Sequence, residues 1–335
     1  MPAGIVLAEK IVRRRAFITF LLSAAAVRPG IASAQPALPL IGFVRSSSLD
    51  DVGNLIEAFK DGLKSTGHVD GQTVTVELRS AEDRYETLPA IIADLVARGT
   101  AVLVGNGAAV RVAKASTATI PIVFAVGDDP VRSKLVVSLS QPGGNLTGVT
   151  FFNSFLGAKK LELIRQFIPA GRAIAVLANP DSPVSRAECA DVLKSAQSIG
   201  QHVLQLDVRT ETDFEGAFAS LVAERAAALL VTGDALFLSR RDGLVALAAR
   251  HAVPAIYSEK LIVEEGGLLS YGASIVEAYR QVGVYAGRIL NGERPADLPV
   301  MQPTRFELSI NLKTARALGL AVPPPLMSLA DEVIE

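Results

Sequence analysis

Two stretches about 130 residues apart are written almost alike, and any fold for this chain must accommodate both. "IPIVFAVGDDP" opens at Ile120 with a proline turn, runs apolar to Val126 and stops on Gly127, Asp128 and Asp129. "VPAIYSEK" opens at Val253 in the same manner and reaches Glu259. The neighbours repeat in the same order, "AVLVGNG" answering "AALLVTGD" and "LTGVTFF" answering "GGLLSYG". A period of this length is too long for a solenoid and suits two homologous domains. The 335 residues also exceed what one hydrophobic core usually holds.

Within each half, short apolar runs alternate with longer amphipathic ones, the pattern of βα units around a parallel sheet. In the first, "LPLIGFV", "TVTVELR", "AVLVGNG", "IPIVFAV" and "LTGVTFF" read as strands; "NLIEAFKDGLKSTG", "LPAIIADLVARG", "AAVRVAKAST" and "SKLVVSLS" read as helices. In the second, "AIAVLANP", "HVLQLDV", "AALLVTGD", "VPAIYSE" and "GGLLSYG" are strands, with helices over "RAECADVLKSAQSIG", "DFEGAFASLVAERA" and "LFLSRRDGLVALAARHA". Helices that end at Gly67 and Gly99 have the expected C-terminal punctuation. A further helix, "EAYRQVGVYAGRILNG", follows the complete second half. Its return to the first half would make the link between them a multi-strand hinge, which permits closure around a ligand. The fold class is therefore α/β: two doubly wound, parallel-sheet, Rossmann-like domains.

The first segment reads as an address. Arg13, Arg14 and Arg15 precede a mostly apolar run from Ala16 to Val27, and Ala32-Ser33-Ala34 stands before Gln35, the layout of a cleaved secretory signal. Arg14-Arg15 is similar to a twin-arginine pattern, with Arg13 in place of the usual polar residue, so the route stays open between the two export systems. The run is short for a membrane span and no longer one follows.

Composition removes several classes. A formal net charge of -1 gives no basic footprint for nucleic acid. Cys189 is the only cysteine, which excludes an internal disulfide and a thiolate cluster, and His68, His202 and His251 have no paired spacing, so neither a metal nor a cofactor is expected.

In an open parallel sheet, ligands bind outside the carboxyl ends of the strands. The candidates are therefore the strand-end residues. Arg45, Ser46 and Ser47 follow the first strand as donors. Gly105, Asn106, Gly107 and Ala108 join a strand to a helix start, where free N–H groups favour an anion; Val110 stands where a dinucleotide motif needs its third glycine. Asp128 and Asp129 read either as anchors for an ammonium or hydroxyl or as helix caps. Pro130 fits a first helical turn, making Asp129 the better cap and Asp128 the better ligand contact. The second half offers Asn179, Ser182, Asp234, Tyr257 and Glu259, with Tyr257 able to stack on a planar group.

The linked motifs "IGFVRSSS", "IPIVFAVGDDPV", "QPGGNLTGVTF", "GAKKLELIRQFIP", "LANPDSP", "GGLLSYGAS" and "QPTRFELSINLKTARALGL" resemble the ABC transporter substrate-binding protein family, in its branch of tryptophan- and tyrosine-type binders. The resemblance covers essentially the whole chain after the export segment. It implies a periplasmic binding protein type I fold, a small polar or amino-acid-like solute held between the domains, an ABC permease as partner, no nucleic acid, and a monomer in the periplasm. The family's aromatic amino-acid binders commonly carry hydroxyl residues where Ala108 and Ala109 stand, a departure that counts against an amino-acid ligand. The expected division is 1–34 as signal peptide, 36–152 with 273–296 as first lobe, 153–272 with 297–322 as second, and 323–335 as a C-terminal tail. The alternative is an exported α/β enzyme such as a hydrolase. It has no GxSxG elbow and no histidine in a strand-end loop to support it. A repressor of this fold would need a helix-turn-helix ahead of Leu38.

Overall fold

The repeat seen in the sequence becomes one strand order used twice. The computed structural model describes residues 37–50 and 52–335, so the expected signal segment lies outside the described residues. In the first lobe, β1 (Leu40–Arg45), β2 (Thr75–Ser80), β3 (Val102–Asn106), β4 (Ile122–Val126) and β5 (Leu146–Thr150) form a parallel sheet in the order β2-β1-β3-β4-β5. The connecting helices are α1 (Gly53–Ser65), α2 (Leu88–Ala97) and α3 (Gly107–Ser116). Every residue of β3, β4 and β5 is buried, as continuous apolar runs in a parallel sheet covered on both faces require.

After α4 (Gly157–Arg165), the second lobe builds β6 (Ile174–Ala178), β7 (Val203–Asp207), β8 (Ala228–Val231), β9 (Ala255–Tyr257) and β10 (Leu269–Gly272). Their order, β7-β6-β8-β9-β10, repeats that of the first lobe. The helices between them are α5 (Pro183–Ser198), α6 (Phe214–Ala223), α7 (Ala235–Ser239), α8 (Arg241–Arg250) and α9 (Lys260–Glu264). The single helix expected over "LFLSRRDGLVALAARHA" is thus broken at Arg240.

Three further expectations change. The second sheet is not wholly parallel: β11 (Glu307–Asn311) pairs antiparallel with β10, and β12 (Glu332–Ile334) extends it as an edge strand parallel to β11. Residues 323–335 are therefore no tail, since α12 (Pro324–Leu329) buries Leu326 and β12 joins the sheet; α11 (Leu312–Ala317) precedes them. "SKLVVSLS" forms turns instead of a helix. Lys134 takes φ 58°, and the N–H groups of Leu135 and Val136 both donate to Pro130 O, so these apolar side chains are buried without helical geometry.

The helix after the second half, α10 (Ile275–Leu290), does return to the first lobe, where it lies against α1. Glycine makes the approach possible: a Cβ on Gly283 would stand 2.0 Å from Phe59 O, and one on Gly62 1.9 Å from Arg280 O. The chain stays with the first lobe beyond 296, for Met301 N donates to Gly148 O and Thr150 N to Met301 O, both at 2.9 Å. It crosses between lobes after β5, again between β10 and α10, and again between Met301 and β11. These passages are the multi-strand hinge.

Candidate functional site

In each sheet the strand order reverses beside the first strand of the lobe, and the loops leaving adjacent strands there part to form a crevice. In the first lobe this point lies between β1 and β3, whose ends carry Arg45-Ser46 and Asn106-Gly107; in the second it lies between β6 and β8, whose ends carry Asn179 and Gly233-Asp234. The two points share a cavity of about 70 Å³. Arg45, Ser46, Asn106, Gly107 and Ala108 line it from the first lobe, and Ser182, Asp234 and Glu259 from the second.

The first-lobe wall is built of donors. Arg45 is 2% exposed; it donates through Nη1 to the Tyr279 hydroxyl at 2.8 Å and through Nη2 to Ser47 Oγ at 3.1 Å, while its Nε has no hydrogen-bond partner. Asn106 sits at the N-cap of α3 and does not cap it. Its amide pairs with Ser46 instead, Nδ2 donating to Ser46 Oγ and Oδ1 accepting from Ser46 N, both at 3.0 Å. The first N–H groups of α3 thus receive no side-chain cap from Asn106. Arg111, one turn into α3, completes the wall and is held by Asp128 at 2.6 Å.

The second-lobe wall is acidic. Asp234 caps α7, accepting from Leu236 N at 3.0 Å and from Asn179 Nδ2 at 3.2 Å, and burial raises its carboxyl above the usual range. Glu259, 4% exposed, accepts from Asn153 Nδ2 at 3.0 Å. Burial pushes it up to about 8, with Lys160 pulling the other way and Glu188 and Asp234 adding to the rise. Behind it, Lys160 and Glu188 form a wholly buried ion pair; Lys160 Nζ also donates to Ser258 Oγ and Val231 O, and Glu188 accepts from Gly233 N. Rings close the sides: Tyr85, Phe151 and Tyr279.

Several expected contacts stand elsewhere. Asp128 does not line the cavity; its carboxylate is committed to Arg111, and Thr150 Oγ1 donates to its main-chain oxygen. Asp129 accepts from Val131 N and Arg132 N, fixing a turn. Ser47 lies behind Arg45, Gly105 is interior strand, and Asn179 braces Asp234 and reaches the Tyr85 hydroxyl at 3.4 Å. Tyr257 is fully buried among apolar side chains and does not line this cavity, because its place in β9 directs the ring into the core. Arg111, Tyr85, Phe151 and Tyr279 were not expected. Arg111 alone had a signal, a charge one turn into the helix that follows the "GNGAA" loop. Among the described residues no group of histidine, cysteine and acidic side chains is arranged to hold a metal.

The chain is 26% identical over 265 residues to a tyrosine-binding protein of Clostridioides difficile (strain R20291), covering 79% of this chain and 76% of that one. It is similar to the ABC domain from Streptococcus pneumonia solved in complex with L-Trp, at 25% identity, TM-score 0.79, and coverage of 89% of this chain and 100% of that one. It is also similar to the ligand-free, open structure of a substrate-binding protein with adhesive properties from Clostridium difficile, at 25% identity, TM-score 0.60, and coverage of 89% and 99%. Residues 40–334 match the family model described as ABC transporter substrate binding protein. A cavity shared by two hinged lobes and a family match over nearly all the described residues lead to one conclusion: the chain belongs to the ABC transporter substrate-binding proteins, and its role is to bind a solute, not to transform one.

Proposed function

We propose that this protein works in the periplasm as a monomer, capturing a small polar solute between its lobes and presenting the closed, loaded form to the permease of an ABC importer. The observation that carries the reading is the origin of the cavity wall, with Arg45, Ser46 and Asn106 from one lobe and Ser182, Asp234 and Glu259 from the other. A solute shifts a conformational equilibrium only by its preference for one state, so contacts from both lobes are what couple binding to closure. The arrangement has the character of a closed form. Asn179 of the second lobe reaches Tyr85 of the first, Arg240 stands 3.9 Å from Asp83, and at equal identity the fold superposes better on the tryptophan complex than on the open relative. The arginines and apolar run at the N-terminus support export.

The test is a thermal-shift screen of purified protein, denatured and refolded to remove carried solute, against amino acids, small carboxylates, nucleosides, sugars and polyamines. A solute at a hundred times its dissociation constant adds about 2.7 kcal/mol to the folded state. A shift by one chemical class, without turnover of that solute, is expected. No response to any class from refolded protein overturns the reading.

A further inference from the structure

Of the two cations that line the cavity, one has no carboxylate within ion-pair distance among the described residues. Arg111 is answered by Asp128, and Lys160 by Glu188. Arg45 is only 2% exposed, yet its guanidinium meets no carboxylate: its partners are the hydroxyls of Tyr279 and Ser47 and the Tyr279 ring, whose centre is 5.9 Å away, and its Nε has no hydrogen-bond partner. Asp83 feels its charge but forms its own ion pair with Arg240. A buried cation without a counter-ion is costly, and proteins keep one where a ligand supplies the missing charge. A second feature of the same wall points the same way. The side chain that would cap α3, that of Asn106, is turned aside by Ser46, leaving the helix start at Gly107 and Ala108 uncapped by it on the cavity surface.

We infer that the first-lobe wall is a carboxylate site, with Arg45 as the residue that selects a solute bearing an acidic group and the start of α3 as its second set of donors. This deepens the solute-binding reading and rests on it. The guanidinium fork matches a carboxylate in two parallel hydrogen bonds, a geometry that a neutral amide or a sugar hydroxyl cannot reproduce with the same charge assistance. The hydroxyl groups of Tyr279 and Ser47 hold the fork in place without neutralising it.

Matched pairs test the assignment, each acid against its own primary amide: L-tyrosine and L-tyrosinamide, 3-phenylpropionate and 3-phenylpropanamide, glutarate and glutaramide, with glucose and ribose as uncharged controls. Titration calorimetry on the purified, refolded protein should show binding by at least one acid and at least tenfold weaker binding by its amide. Arg45→Gln should remove that preference. The same variant without solute should be as stable as the unaltered protein or more so, since it deletes an unanswered buried charge; an arginine kept for structure would show the opposite. Arg45→Lys, which keeps the charge and loses the fork, should retain preference for the acid at reduced affinity, and it carries the test if Arg45→Gln fails to fold. Amide or sugar binding as tight as acid binding, or Arg45→Gln binding the acid within twofold of the unaltered protein, overturns the assignment while leaving solute binding intact. Silence from every compound here and from the wider screen removes both readings.

Discussion

Arg111 Nη2 lies 2.6 Å from Asp128 Oδ2, so the acidic residue that ends β4 serves the cavity at one remove, by holding a cation that α3 carries into it. The carboxylate is nearly buried and its Oδ1 has no hydrogen-bond partner. Removing the arginine alone leaves that carboxylate unanswered. Arg111→Met should therefore destabilise the protein by about 2 kcal/mol, and Arg111→Met with Asp128→Asn should recover at least half of the loss. Urea unfolding of both singles and the double decides it: additive losses mean that the pair is not coupled.

The acid on the opposite wall sets a pH dependence. The carboxyl of Glu259 ordinarily titrates near 4.5 and here is pushed up to about 8, chiefly by burial. A group whose folded pKa is raised contributes stability that is complete below its unfolded pKa and is lost as pH rises through the folded one. The solute-free protein should accordingly lose stability between pH 5 and pH 8. Glu259→Gln should flatten that slope and add about 2 kcal/mol at pH 8, roughly 5 °C in melting temperature, with little effect at pH 5. Scanning calorimetry at the two pH values checks the sign, and equal slopes in both proteins would refute it.

How much of this was readable from sequence depends on whether the information is local. The paired strands at Ile120 and Val253, and the turns that bound them, are local, and they placed both sheets and the strand-end loops. That Arg45, Ser46, Asn106 and Glu259 line the cavity could be read from that topology alone, since a strand end at the switch point faces the crevice whatever its residue. Asp128 was misplaced because its partner, Arg111, lies 17 positions away and comes near only in the folded sheet. Tyr279 was missed for a similar reason: it reaches Arg45 because α10 returns to the first lobe, 234 residues along the chain. "SKLVVSLS" has apolar residues at helical spacing, but Lys134 in the left-handed region and the Pro142-Gly143-Gly144 turn after it leave no room for a helix.

One substitution made at two glycines should have opposite signs. Alanine is the better helix former by about 1 kcal/mol, and at Gly216 in α6, where an added Cβ meets nothing within 4 Å, that preference should appear as a gain. At Gly283 in α10 the same Cβ would lie 2.0 Å from Phe59 O and 2.8 Å from Leu63 N, both main-chain atoms of α1. Neither can move unless the two helices part. Gly283→Ala should cost about 2 kcal/mol or more despite the propensity gain. Denaturant midpoints that rise for Gly216→Ala and fall for Gly283→Ala are expected; a rise for both would show that α1 and α10 are not closely packed.

Closure itself can be obstructed at a single position. Gly127, at the end of β4, lies on the cavity wall, and a Cβ there would stand 2.8 Å from Phe151 Cε2 in the first passage between lobes and 2.9 Å from Val184 Cγ1 at the start of α5. Val184 belongs to the second lobe, so its contact exists only while the lobes are together. Gly127→Ala should therefore penalise the closed form more than the open one. An apparent affinity scales with the fraction of protein in the binding-competent state, and a penalty of about 1.4 kcal/mol lowers it tenfold. Solute binding should weaken by about that factor while the melting temperature of the solute-free protein changes little. Adding Val184→Ala removes one of the two obstructing side chains and should restore much of the affinity, which separates a block on closure from damage to the hinge at Phe151. If calorimetry finds Gly127→Ala binding as tightly as the unaltered protein, the lobes close by a route that does not bring Val184 against β4.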